Sequence, residues 1–167
     1  MVSLPILTLG AIAWVIMMVN WDDPSSKISR FFRVHEALWL PQWRVHHIPT
    51  EVEKANLLLW AAKMDLVRLC IKRSIHIHCW LRPVLNNPKS FFHGKDYNSL
   101  IGSKPTSAHC VGLACDWSAQ EDCDITRATL LPMLETWNIR MEDAPGSTWV
   151  HCDGKPVPPG GKRFFNI

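Results

Sequence analysis

The sequence has no Cys-x-x-Cys pair, no internal repeat and no low-complexity run. The spacing of its cysteines excludes a zinc finger built on such pairs. The six cysteines are Cys70, Cys79, Cys110, Cys115, Cys123 and Cys152. The net charge of +3 is modest for 167 residues, so the strongly basic character of nucleic-acid-binding proteins is also missing. We therefore expect no nucleic-acid partner.

Charge is also missing from the beginning of the chain. Residues 2–19 contain no charged side chain, and their length fits a short membrane span. The segment lacks the basic n-region of a secretory signal and a clear small-x-small cleavage site. Three interpretations stay open: an uncleaved export anchor, a signal peptide of unusual form, or an extension from an upstream start codon. We therefore separate residues 1–20, which could contact a membrane, from a single domain over residues 21–167.

The pattern of apolar residues in that domain predicts its fold class. Thr50-x-x-Glu53 is a capping box that begins a helix ending near Ile71. Its apolar residues at helical spacing are expected to face the core: Val52, Ala55, Leu59, Ala62, Leu66 and Leu69. Alternation over residues 74–81 predicts a strand. The order helix, strand, loop, strand, helix, two strands predicts an α+β fold with a small, mostly antiparallel sheet flanked by helices.

The most informative residues are two histidines and one aspartate. His109 and Asp116 lie seven residues apart, and His151 follows Asp116 by 35 residues. Two imidazoles and a carboxylate are the ligand count of a catalytic zinc site, which keeps a fourth position for water. The functional interpretation rests on whether the fold brings these three side chains together.

Local patterns place the first two of these residues around one strand. Residues 112–117 alternate small or polar side chains with larger apolar ones, which is typical of a strand with one buried face. Asp116 is expected to project from the small-residue face, where Gly112 and Ala114 leave room for a metal or a substrate backbone. His109 comes just before the strand, where a turn can bring its ring back over that face.

The last histidine belongs to a second short strand. Trp149, His151 and Asp153 share one face of that strand, since successive side chains point to opposite faces. Pairing of the two strands would gather His109, Asp116 and His151 around one point. Cys152, on the opposite face, is expected to be a small buried apolar residue. A disulfide between Cys115 and Cys123 is an alternative that requires export of the chain.

The motif Ser-x-His-x-x-Gly-x-Ala-x-Asp over residues 107–116, followed by Trp-Val-His over residues 149–151, resembles the zinc D-Ala-D-Ala carboxypeptidases. That family also includes D,D-dipeptidases of vancomycin resistance and phage L-alanyl-D-glutamate endolysins, and the hedgehog signalling domain shares its fold. The resemblance implies that His109, Asp116 and His151 bind Zn²⁺. It extends to Arg82 in Trp-Leu-Arg-Pro, whose guanidinium would bind a substrate carboxylate or carbonyl. We also assign Ser107 to substrate binding.

The chain departs from the family at the catalytic base. In the dipeptidase branch a glutamate lies three residues before the last histidine, whereas here that residue is Thr148, which cannot act as a base. The nearby acids are Glu142, Asp143 and Asp153, and the choice among them stays open. We favour Glu142, because a strand over residues 139–142 and a turn over residues 144–147 would fold it back beside His151.

These observations predict a zinc metallopeptidase that hydrolyses peptidoglycan stem peptides, of the D-Ala-D-Ala carboxypeptidase or L-Ala-D-Glu endopeptidase type, in the phage peptidase or endolysin branch. Such an enzyme acts at the bacterial cell wall, on the periplasmic or extracellular side, after synthesis in the host cytoplasm if a phage encodes it. We expect a monomer. A non-catalytic zinc-binding module and a virion structural protein on the same fold are the alternatives.

Overall fold

The computed structural model describes residues 18–84 and 96–166. The prediction of membrane contact by residues 2–19 therefore lies almost wholly outside the described residues. Among the residues that are described, no helix has the length and apolar character needed to cross a bilayer.

The secondary structure follows the predicted order of elements. The helices are α1 Val34–Leu38, α2 Glu51–Ile71, α3 Tyr97–Leu100, α4 Cys123–Leu130 and α5 Leu134–Trp137. The strands are β1 Trp39–Leu40, β2 Val45–His46, β3 Ile75–Cys79, β4 Ala114–Ala119, β5 Arg140–Glu142, β6 Val150–Asp153 and β7 Phe164–Phe165. Short 3-10 helices span Ala108–Val111 and Leu131–Met133. The strands predicted around residues 74–81, 112–117, 139–142 and 149–153 are thus all present.

The strands form two sheets in an α+β fold. β1 and β2 make a small antiparallel pair, and the other five strands form a sheet in the order β3-β4-β6-β5-β7. Neighbouring strands of this larger sheet are antiparallel, except for β5 and β7, which run parallel. The larger sheet is therefore mixed, because the chain returns after β6 and adds β7 beside β5. The α+β class and the helices predicted from the sequence are confirmed.

Helix α2 begins at the predicted capping box. The Oγ1 of Thr50 accepts a hydrogen bond from the Glu53 amide at 3.3 Å, and a carboxylate oxygen of Glu53 accepts one from the Thr50 amide at 2.7 Å. The helix ends at Ile71, and Lys72 follows in the left-handed conformation with φ 55°. Both predicted ends of the helix are confirmed.

The predicted buried face of α2 is wrong. Val52, Leu59 and Leu69 are 67%, 42% and 46% exposed. The buried face is instead made of Leu57, Leu58, Trp60, Ala61, Met64, Val67 and Ile71, which belong to one hydrophobic core with residues of the larger sheet. Both sets are apolar and helically spaced, so periodicity alone does not tell which one the sheet covers.

The larger sheet separates the core from a polar face. On β4 and β6, Cys115 pairs with Cys152 and Asp116 pairs with His151. Both cysteines are fully buried, as predicted for Cys152, and their thiols are free. Cys123 is also a free thiol, so the alternative of a bridge to Cys115 is not realised. Asp116 and His151 lie opposite each other on the other face, because side chains alternate along a strand.

Gly112 shapes the turn that leads from His109 into β4. Its φ is +78°, and a Cβ at this position would lie 3.1 Å from Cγ of Leu57 in α2. The small residue therefore makes room for α2 and not, as the sequence suggested, for a metal or a substrate.

Substitution of Gly112 should lower the free energy of unfolding more than substitution of a glycine that is required only for its positive φ. Gly146, at φ +75° with no atom within 4 Å of the place that a Cβ would take, is the matched control. Gly146→Ala should lower the free energy of unfolding by about 1–2 kcal/mol through left-handed strain. Gly112→Ala should lose a further ~1–3 kcal/mol through crowding against Leu57. Urea denaturation measures both values, and equal losses would contradict the packing role of Gly112.

Candidate metal centre

The fold brings the three predicted ligands to one point. The Nε2 of His109 lies 3.2 Å from Oδ1 of Asp116 and 3.2 Å from Nδ1 of His151. The same Asp116 oxygen lies 2.7 Å from Nδ1 of His151. Among the described residues, these three form the group of histidine, cysteine and acidic side chains whose donor atoms are close enough to hold a metal ion.

His109 is held in the tautomer that a metal ligand requires. Its Nδ1 donates to the backbone carbonyl of Trp80 at 2.7 Å, which leaves the Nε2 lone pair directed at Asp116 and His151. The side chain is 1% exposed, and burial lowers the pKa of His109. A neutral imidazole with its second nitrogen hydrogen-bonded is the usual state of a ligating histidine.

His151 approaches the same point through its other nitrogen. Nδ1 faces Asp116, while Nε2 lies 3.5 Å from an oxygen of Asp153. Burial disfavours the charged imidazole, but hydrogen bonds to Asp116 and Asp153 outweigh this effect and raise the pKa of His151 to about 9. The ring is therefore fixed from both sides.

Asp153 is itself fixed by Arg140, its partner in the β5–β6 register. The guanidinium donates from Nε to one carboxylate oxygen at 2.8 Å and from a terminal nitrogen to the other at 2.7 Å. The Lys155 amide adds a further bond at 2.9 Å. Burial opposes the charged carboxylate, yet these bonds and the one to His151 hold the pKa of Asp153 well below its ordinary value.

Arg82 lies on the other side of the site. One of its terminal nitrogens donates to Oδ2 of Asp116, the other donates to Oγ of Ser103 at 2.7 Å, and Nε donates to Sγ of Cys79 at 3.2 Å. Burial raises the pKa of Asp116, but its close contacts with the imidazoles of His109 and His151 outweigh this effect and hold it well below the ordinary value. Asp116 is thus a carboxylate that presents Oδ1 to the imidazoles and Oδ2 to Arg82.

The spacing of the three donor atoms suits zinc. In a tetrahedral site with ligand atoms about 2.0–2.1 Å from the metal, neighbouring ligand atoms are roughly 3.3 Å apart. The observed separations are 2.7–3.2 Å. Two imidazole nitrogens and one carboxylate oxygen are also the donor types of catalytic zinc sites. The residues present therefore fit the metal that the sequence predicts.

The triad lies in an open cleft of about 590 Å³. Its wall includes the predicted residues Arg82, Ser107 and Glu142. Ser107 also caps the 3-10 helix that carries His109, since its Oγ accepts from the His109 amide at 3.4 Å. Asp143, one residue beyond β5, does not contribute to the cleft lining.

Glu142 reaches the cleft by strand alternation. β5 and β6 pair as the predicted hairpin, with Arg140 opposite Asp153. Since Glu142 is two residues from Arg140 and His151 is two residues from Asp153, all four side chains share one sheet face. Thr148 is exposed in the connecting loop.

Four cationic side chains line the cleft, beside the carboxylates of Asp116, Glu142 and Asp153. Lys104 and Lys155 line it, and neither forms an ion pair with an acid among the described residues. Lys155 is tethered through its Nζ to the Thr106 carbonyl. Arg82 and Arg140 add two guanidinium groups, although both are paired. The cleft is therefore suited to a ligand that carries carboxylates.

Sequence reasoning missed several residues that support the site. The pairing of Arg140 with Asp153 follows from the register of β5 and β6, which alternation on both strands could have suggested. The Cys79 thiol at the end of β3 and the Trp80 carbonyl just after it contact residues of the site, and no side-chain pattern signals either contact.

Comparisons of the chain with protein-family models, with curated proteins and with solved structures gave no match. The geometry of the triad and its cleft therefore carries the functional inference, together with the motifs in the sequence.

Removal of any one of the three donors should abolish stoichiometric zinc binding. His109→Ala, Asp116→Ala and His151→Ala each leave two protein ligands, which are too few for a zinc site of this kind. Competition with a chromophoric zinc chelator measures the effect. His76→Ala, at an exposed position on β3, is the control and should bind one zinc ion as the natural chain does. Unchanged binding by the three variants would refute the assignment.

Asp153→Asn should weaken zinc binding without abolishing it. The amide keeps the size of the side chain but loses the charge that orients His151 and pairs with Arg140. Loss of such an outer hydrogen-bond partner typically costs about 10- to 100-fold in metal affinity. The same chelator competition tests this, and an affinity equal to that of the natural chain would show that Asp153 does not orient the ligand.

Proposed function

We propose that this chain is a zinc-dependent peptidase that hydrolyses peptidoglycan stem peptides, as a D-Ala-D-Ala carboxypeptidase or an L-Ala-D-Glu endopeptidase, in the manner of phage lysis enzymes. The observation that supports it most is the convergence of His109, Asp116 and His151 in an open cleft. The resemblance of residues 107–116 and 149–151 to the D-Ala-D-Ala carboxypeptidases supports the substrate class. Such an enzyme would work at the bacterial cell wall.

The chemistry needs one metal and one base. Zn²⁺ held by the three ligands would lower the pKa of a bound water toward neutrality and polarise the scissile carbonyl. Glu142 would accept the proton of the attacking water and return it to the leaving amine. Its place on the sheet face of His151 and in the cleft wall supports this role.

The two competing acids are less suited to that role. Both oxygens of Asp153 accept hydrogen bonds from Arg140, and the lowered pKa of Asp153 makes it a weak base. Asp143 lies outside the cleft lining. Glu142 is half-buried and takes part in no salt bridge with the described residues. Its carboxylate is therefore not held by an ion pair with those residues.

Substrate binding would use the cationic side of the cleft. A guanidinium has five N–H donors, and Arg82 uses three of them within the protein. The remaining donors, together with Lys104, Lys155 and the Ser107 hydroxyl, would hold the carboxylates of D-alanine or D-glutamate. This arrangement would fix the peptide end beside the metal ligands.

A non-catalytic zinc-binding module is the second candidate. Thr148 stands where the dipeptidase branch has its glutamate, and the three metal ligands do not require turnover. A virion structural protein is an alternative that would share the metal site without hydrolytic activity. Both candidates predict bound zinc and no cleavage of peptidoglycan.

Glu142→Gln is the decisive variant for the peptidase proposal. It preserves the size of the side chain but removes the proton acceptor, so turnover should fall about 100- to 10,000-fold. Zinc content should be unchanged, because Glu142 is not a ligand. Mass spectrometry of peptidoglycan fragments measures the rate and identifies the bond that is cut.

Asp143→Asn, one residue away, is the matched control and should retain nearly full activity. A large loss in the control with an active Glu142→Gln would transfer the role of base to Asp143. Zinc-loaded natural protein that releases no fragment from peptidoglycan would contradict the peptidase proposal and favour a binding module.

A further inference from the structure

Helix α2 carries a second apolar stripe that the fold leaves in contact with solvent. We call it the outer seam, and its residues are Val52, Ala55, Leu59, Ala62, Leu66 and Leu69. Val52, Leu59 and Leu69 are 67%, 42% and 46% exposed, Ala62 is exposed, and the other two are half-buried. The outer seam is therefore distinct from the face of α2 that packs on the sheet.

The spacing of the outer seam is that of a coiled coil. Its residues alternate steps of three and four over nearly the whole 21-residue helix, which places them at the a and d positions of a heptad repeat. A helix with only one partner needs one apolar stripe. The second stripe on α2 indicates a second helical partner.

We infer that the outer seam is a homodimer interface, in which α2 of a second copy packs antiparallel along it. In this register Val52 lies opposite Leu69 of the partner subunit. Ala55 lies opposite Leu66 of the partner subunit, and Leu59 lies opposite Ala62 of the partner subunit. The two-fold axis repeats these three layers on the other half of the helix pair.

The sizes of the side chains favour this arrangement over a parallel one. Each central layer joins a leucine to an alanine, so large and small side chains interdigitate and the helices approach closely. A parallel pair would place Ala55 on Ala55 and Leu59 on Leu59, and would alternate gaps with crowded layers. The antiparallel order fills the seam evenly along its length.

The charges at the ends of α2 favour the same direction. Glu51 at the beginning of the helix and Lys72 and Arg73 just after its end are exposed, although Glu51 already pairs with Lys54 and Arg73 with Glu121 within the chain. An antiparallel copy brings the acidic end of one helix to the basic end of the other, and opposes the two helix dipoles. A parallel copy would bring like charges together at both ends.

The interface is small, so the dimer should be reversible. A helix of 21 residues is about 31 Å long, and a single helix pair of that length falls at the lower end of specific interfaces, below about 1,200 Å². From the sequence we expected a monomer instead. The oligomeric state of the chain in solution therefore distinguishes the two expectations.

Sedimentation velocity over a range of micromolar concentrations tests the proposal on the full chain. The natural protein should show a concentration-dependent dimer. Leu59→Glu places a charge in the central layer of the outer seam and should leave only the monomer. Leu131→Glu is the matched control, since Leu131 is 46% exposed outside the seam, and it should dimerise as the natural chain does. Circular dichroism confirms that both variants are folded.

Cysteine cross-linking tests the direction of the helices, in a Cys70→Ser background. Chains with Val52→Cys and chains with Leu69→Cys should cross-link when mixed under mild oxidation but not when kept apart. In the antiparallel pair, position 52 is roughly 26 Å from its own equivalent. Cross-linking of each variant with itself would show a parallel pair and overturn the proposal.

Two further results would also overturn it. One is a natural chain that is monomeric at every concentration. If a chain without residues 2–17 then formed a dimer, the occupant of the outer seam in the natural chain would be that apolar segment and not a second copy. The other is a dimer that Leu59→Glu leaves intact, which would place the interface elsewhere on the surface.

Discussion

The antiparallel pairing of β4 with β6 is the constraint on which the rest of the structure depends. Its register sets Asp116 directly opposite His151 and Cys115 directly opposite Cys152. Because side chains alternate along both strands, this single register sends the cysteines into the core and the metal ligands to the cleft. A slip by one residue would bury the aspartate and the histidine and expose two apolar thiols.

The charged groups of the site form a chain in which each member is paired. Arg140 holds Asp153, Asp153 faces His151, His151 faces Asp116, and Asp116 is bound on its far side by Arg82. Partly buried carboxylates are costly without such partners. Arg140 helps to keep Asp153 ionised, the two imidazoles do the same for Asp116, and these contacts fix the imidazoles in the orientation that metal binding requires. The three candidate ligands are thus positioned by groups that do not belong to the triad.

Much of this arrangement could be predicted from local patterns. The capping box gave the beginning of α2, period-two alternation gave the strands, and the two motifs that carry His109, Asp116 and His151 gave the triad. The sheet order, the parallel addition of β7 and the pairing of Arg140 with Asp153 depend on contacts between residues far apart in the chain. The Trp80 carbonyl that orients His109 is a backbone group, which leaves no mark in a sequence.

The wrong prediction of the buried face of α2 shows that periodicity alone does not decide which apolar stripe of a helix is buried. The helix has two apolar stripes, and only packing decides between them: Leu57 fits against Gly112, while the Asn56 amide donates to the Val111 carbonyl at 2.8 Å. The inner stripe therefore supports the turn that carries His109, and the outer seam lies on the opposite side of the same helix. A partner on the outer seam would bind the folded helix and not the unfolded chain, so association would stabilise α2 by mass action.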